Sequence, residues 1–127
     1  MKKIIIATVV LAILLLAGCA KDDTVTLRPV VNKTVSFQKD LIPLFTKNCA
    51  LSGCHADGGH APYLASTKAY ASLTSGGFVN VGSPEKSIVY EHLIGTLSPA
   101  MPMGGTSNPG NINGYVLAWI QQGAKNN

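Results

Sequence analysis

Apolar residues recur along this chain at helical rather than strand spacing. Phe37, Leu41, Leu44 and Phe45 stand at i, i+4, i+7 and i+8, which gathers them on one face of a helix. Ser36 before them is suited to cap it, and Pro43 within the run predicts a kink or a reset first turn. A second helix is predicted from Thr67 to Leu73, capped by Ser66 and stopped by Gly76-Gly77. Phe78 to Val81 reads as a short extended piece. Ser83-Pro84-Glu85 reads as a helix start, with a hydroxyl cap, a first-turn proline and a carboxylate at the positive end. The inner face of that helix is Ile88, His92 and Leu93, or Val89 with Leu93, and Gly95 ends it. Thr96 to Gly110 is a long loop rich in Pro, Gly and Met. Asn111 then caps a last helix in which Ile112, Tyr115, Val116, Trp119 and Ile120 share one face, and Gly123 ends it. The pattern predicts the all-α class: about four short helices, two long loops, no sheet and no internal repeat.

One apolar run is different. Ile4 to Ala17 is fourteen residues interrupted only by Thr8, and it follows the basic start Met1-Lys2-Lys3. Roughly 20 apolar residues are needed to cross a bilayer as a helix, so this run is short for an anchor. A basic start, a short apolar run and small residues after it describe a secretory signal peptide. The run ends Leu16-Ala17-Gly18-Cys19, which resembles a bacterial lipobox, where cleavage precedes a cysteine that then carries lipid. An uncleaved signal anchor with an incidental Cys19 is the alternative. The lipobox reading divides the chain into a signal peptide at 1–18, a lipidated Cys19 with a flexible tether at 19–35, and a domain at 36–127. Lys21-Asp22-Asp23 also resembles a signal that sends some outer-membrane lipoproteins to the cell surface. The expected location is the outer membrane, on its periplasmic side or at the cell surface.

Cleavage changes the charge picture. It takes eighteen residues from 127, leaving 109, and Lys2 and Lys3 from ten basic residues. Eight basic against six acidic residues is a net charge of +2, not the +4 of the whole chain. No basic run interleaved with aromatics remains, so nucleic acid has no support as a partner. About 109 residues bury one small core, which a covalently held apolar cofactor would help to fill.

With Cys19 assigned to lipid, Cys49 and Cys54 remain, and His55 follows the second directly. Cys49-Ala50-Leu51-Ser52-Gly53-Cys54-His55 has the form C-x4-C-H. A haem attached through thioethers needs two thiols that meet its two vinyl groups and an imidazole beside the second thiol. The common arrangement is C-x-x-C-H. Here two extra residues must loop outward, and Ala50, Ser52 and Gly53 are small or flexible enough to allow it. Other readings of these residues are a disulfide in an exported protein and a zinc site from Cys49, Cys54, His55 and His60. Adjacent Cys54 and His55 do not easily share one tetrahedron, and no second compact ligand pair appears. No G-x-S-x-G or similar nucleophile signature points to hydrolysis.

The order of these parts resembles the class I c-type cytochromes, especially the small domains of exported bacterial lipoproteins. The resemblance rests on Phe37 to Phe45, on Cys49, Cys54 and His55, on Met101-Pro102, and on the closing Leu117 to Ala124. It covers roughly residues 36–124 and implies a domain around one covalent haem c. In that family the first and last helices cross, and Phe37, Phe45, Tyr115 and Trp119 are placed for the crossing. The resemblance implies thioethers at Cys49 and Cys54, His55 as proximal ligand and Met101 as distal ligand, with Met103 as competitor. His60 and His92 are weaker distal options. It also implies a downstream proline carbonyl on His55, for which Pro62 is the candidate. The implied function is electron transfer between unidentified redox partner proteins. The alternative is a haem enzyme or small-ligand binder with an open sixth site, and after it a haem-free disulfide lipoprotein.

Overall fold

Ser36 opens the helical part of the chain as the sequence predicts. Its backbone is extended and its Oγ accepts the Lys39 N–H at 3.1 Å, the bond that defines an N-cap. Asp40 returns the contact, accepting the Ser36 N–H at 2.8 Å on Oδ2, while Lys33 Nζ pairs with its Oδ1 at 2.6 Å. These donors hold the Asp40 carboxyl below the usual carboxylate range, the Lys33 bond first among them.

A computed structural model describes residues 30–104 and 108–127. The expected signal peptide, Cys19 and most of the tether lie outside the described residues. Phe37–Leu41 winds as a wide π-type turn, closed by the Ile42 N–H on the Phe37 carbonyl, and helix α1 follows at Ile42–Asn48. The winding changes just before Pro43, whose missing N–H is not needed in a first turn. Helix α2 is Ala69–Ser75, helix α3 is Ile88–Leu93 and helix α4 is Ile112–Gln121. Among the described residues there is no strand, and no helix is long and apolar enough to cross a membrane. The described residues are therefore helical, which is compatible with the expected all-α class.

Three helix starts differ from expectation. Ser66 caps nothing; the Ala65 carbonyl takes the Lys68 and Ala69 N–H groups at 3.0 and 2.9 Å, and α2 begins at Ala69. Ser83-Pro84-Glu85 yields only a 3-10 turn at Pro84–Lys86. The cause is Ser87, an extended and buried residue whose Oγ accepts the Asn80 N–H at 2.9 Å. The Val89 N–H is likewise taken by the Phe78 carbonyl at 3.1 Å. The inner face of α3 is thus Val89 with Tyr90 and Leu93, and Ile88 is exposed. Asn111 adopts a left-handed backbone and makes no capping bond, and Asn108 Oδ1 accepts the Asn113 N–H at 3.1 Å instead.

Phe37 is the centre of the core. Its ring lies 5.0 Å from Trp119, 5.4 Å from Tyr70 and 6.3 Å from Phe45, which joins the first helical segment to α4 and α2. Tyr115, expected here, stands half-buried at the rim, with Lys33 Nζ 5.2 Å from its ring centre. Tyr70 takes that place because its hydroxyl finds the Ala124 carbonyl at 3.1 Å, satisfying its polar end inside the fold.

Both ends of the domain are tied together. Val35, expected in the tether, is 2% exposed, and its N–H reaches Gln122 Oε1 at 2.8 Å. Asn127 accepts the Phe37 N–H on Oδ1 at 3.0 Å and the Gln38 N–H on its carbonyl at 2.9 Å. It thereby satisfies two donors that a helix start leaves without an internal partner. Asn127→Ala is expected to lower stability by about 1 kcal/mol, the scale of a lost N-cap, measured as a lower urea midpoint. An unchanged midpoint would mean that water replaces the side chain fully.

Candidate functional site

The last turn of α1 delivers Cys49. The Phe45 carbonyl accepts both the Cys49 and the Ala50 N–H at 2.8 Å, so the last turn widens and the helix stops there. The chain then loops out through exposed Leu51, Ser52 and Gly53 and turns back through the Cys54 N–H on the Leu51 carbonyl at 2.9 Å. Gly53 has φ +77°, the left-handed backbone that a glycine adopts without strain. The His55 N–H on the Cys49 carbonyl at 3.1 Å closes the loop. The outward excursion expected of C-x4-C-H is thus present, and it returns Cys54 and His55 to the side of Cys49.

A second loop orients the imidazole. The His60 N–H donates to the Cys54 carbonyl at 2.7 Å. A Cβ on Gly59 would lie 2.2 Å from that same carbonyl oxygen, so only glycine fits. The sequence shows Gly58-Gly59 only as a loop; the close approach comes from tertiary structure. The turn brings the His60 carbonyl to 3.1 Å from His55 Nδ1. A carbonyl only accepts, so the ring hydrogen sits on Nδ1 and Nε2 keeps its lone pair. This corrects the expectation for Pro62: the oxygen belongs to His60, because the Gly59 turn aims that carbonyl at the ring.

These residues line one cavity of about 670 Å³. Cys49, Cys54 and His55 face it, as do His60, His92, Met101 and Met103. Phe45, Leu64, Phe78, Val89 and Leu93 supply apolar wall, and no Asp, Glu, Lys or Arg is among the lining residues. Every residue that the sequence offered for thioether attachment or axial ligation thus lies on this one surface. Met101 is half-buried, and its N–H donates to the His92 carbonyl at 2.9 Å. Met103 is 72% exposed.

Both cysteines of the motif are free thiols. Burial, and then the neighbouring Cys54, push the Cys49 thiol up to about 11, so at neutral pH it is a neutral S–H. That protonation state disfavours a thiolate metal ligand at Cys49. Among the described residues no three His, Cys, Asp or Glu side chains gather to hold a metal ion, so the zinc set weighed from the sequence is not assembled. The arrangement instead offers two free cysteines, an imidazole oriented by the His60 carbonyl and a thioether around a large cavity with no Asp, Glu, Lys or Arg among its lining residues. Compared with protein-family models, with curated proteins and with solved structures, the chain matches none.

Proposed function

We propose that this chain is a monohaem c-type cytochrome, held to the outer membrane through lipidated Cys19, that transfers electrons between redox partner proteins. One observation carries the reading. A single apolar cavity gathers Cys49, Cys54, His55 and Met101, the residue types that attachment and axial ligation require. Cys49 and Cys54 would hold the group through thioethers, with His55 and Met101 at the iron. A bound haem supplies one-electron chemistry between the ferric and ferrous states.

The chain's own part is positioning and exclusion. The His60 carbonyl fixes the His55 tautomer and strengthens Nε2 as a donor. The Met101 thioether, a soft neutral donor, favours the ferrous state and raises the potential. Phe45, Leu64, Phe78, Val89 and Leu93 would cover the buried face of the group with apolar side chains. With His55 and Met101 both holding the iron, no position would be left for a substrate, so the reading is of a carrier and not of an enzyme.

The test is an intact mass combined with a pyridine haemochrome spectrum, on protein matured with a competent haem-attachment system. One haem per chain and no free thiol at Cys49 or Cys54 is the expected result. A Cys49–Cys54 disulfide with no haem would overturn the reading in favour of a structural lipoprotein.

A further inference from the structure

The cavity presents a second imidazole in the same manner as His55. His92 Nδ1 lies 2.8 Å from the Pro99 carbonyl oxygen, as His55 Nδ1 lies 3.1 Å from that of His60. Pro99 cannot donate from its nitrogen, and its carbonyl only accepts, so His92 also carries its ring hydrogen on Nδ1. Its Nε2 is left with a lone pair on a residue that lines the cavity. Backbone carbonyls that engage one ring nitrogen and free the other are the usual support of metal-ligating histidines.

His92 and Met101 also belong to one stretch of wall. The Met101 N–H donates to the His92 carbonyl at 2.9 Å, so the two backbones touch there. Together with the His92 ring on Pro99, this clamps α3 to the loop at two points. Both donors are therefore presented from the same place, and one coordination position cannot take both at once.

We infer that His92 is a reserve axial ligand, whose Nε2 takes the sixth position when the Met101 thioether leaves it. The inference rests on the haem reading above. In the exchange the bond from iron to the Met101 sulfur breaks and one to His92 Nε2 forms. No electron moves, and with the single hydrogen of the neutral ring on Nδ1 no proton has to leave Nε2. The domain would thus have two six-coordinate states with different potentials.

The test uses the full haem-loaded chain and its Met101→Leu variant, since Leu conserves volume and offers no donor. Intact mass establishes that each protein carries covalent haem; its absence in the parent chain overturns the parent reading rather than this one. With haem present, ferric Met101→Leu is expected to lose the far-red methionine band yet remain low-spin, with electron paramagnetic resonance typical of two imidazoles. Adding His92→Ala should convert it to high-spin and speed cyanide binding at least tenfold. His92→Ala alone should keep the methionine band. A high-spin Met101→Leu protein overturns the inference. So does loss of the band in His92→Ala alone, which makes His92 a positioning residue. A parent chain that lacks the band and turns high-spin on His92→Ala overturns it as well, since His92 would then be the resting ligand.

Discussion

Replacing Cys49 and Cys54 together by Ala is expected to abolish all haem that survives denaturation, and to cost the chain most of its fold. The first effect follows from the attachment chemistry, since among the described residues no other thiol lines the cavity. Either single replacement should leave one thioether and weaker retention. The second effect follows from the size of the cavity. About 670 Å³ bounded by Phe45, Leu64, Phe78, Val89 and Leu93 is left without the group that would cover those side chains, and a small domain has only about 5–15 kcal/mol of stability to lose. The double variant should therefore lose most of its helical circular dichroism and its cooperative thermal transition. A haem-free double variant that keeps both would show that the cavity is a stable surface of the folded chain, and that the core needs no cofactor.

The parts of this fold that were legible in the sequence are those set by local spacing. Phe37, Phe45, Val116, Trp119 and Ile120 are buried because they repeat at helical intervals. Ser36 caps because a hydroxyl precedes that repeat, and Pro43 resets a turn because it lacks an N–H. Cys49, Cys54 and His55 meet because a seven-residue segment can close on itself. What escaped depends on which polar group each side chain meets once the chain is folded. Ser87 interrupts a well-signalled helix start only because Asn80 reaches it, and Tyr70 displaces Tyr115 only because Ala124 offers a carbonyl. Asn127 reads as a polar tail until its bonds to Phe37 and Gln38 appear. The support of His92 by Pro99 has no signature in spacing at all.

Met101→Ala is expected to remove the far-red methionine band of the ferric protein and lower the reduction potential, while Met103→Ala should do neither to any large extent. Both sulfurs line the cavity, so the choice rests on how firmly each is held. Met101 is half-buried, lies between Pro99 and Pro102, and is pinned by its N–H to the His92 carbonyl at 2.9 Å. Fixing its backbone beforehand reduces the entropy lost when the thioether binds. Met103 is 72% exposed and precedes Gly104, whose φ of +75° turns the chain away. Its sulfur would have to be gathered from solvent at a greater entropic cost. When Met101 is removed, the imidazole of His92 replaces a donor that favours ferrous iron with one that favours ferric. Axial ligands span about 0.8 V across haem proteins, so a fall of roughly 100 mV or more is expected. Each 59 mV or so of that fall shifts the ferrous-to-ferric ratio tenfold. Potentiometric titration of the two variants beside the parent chain decides the matter. The opposite pattern would make Met103 the ligand and leave electron transfer intact. A band and potential unchanged in both variants would show that no methionine of this loop reaches the iron, and the expected potential would then fall to that of an imidazole pair.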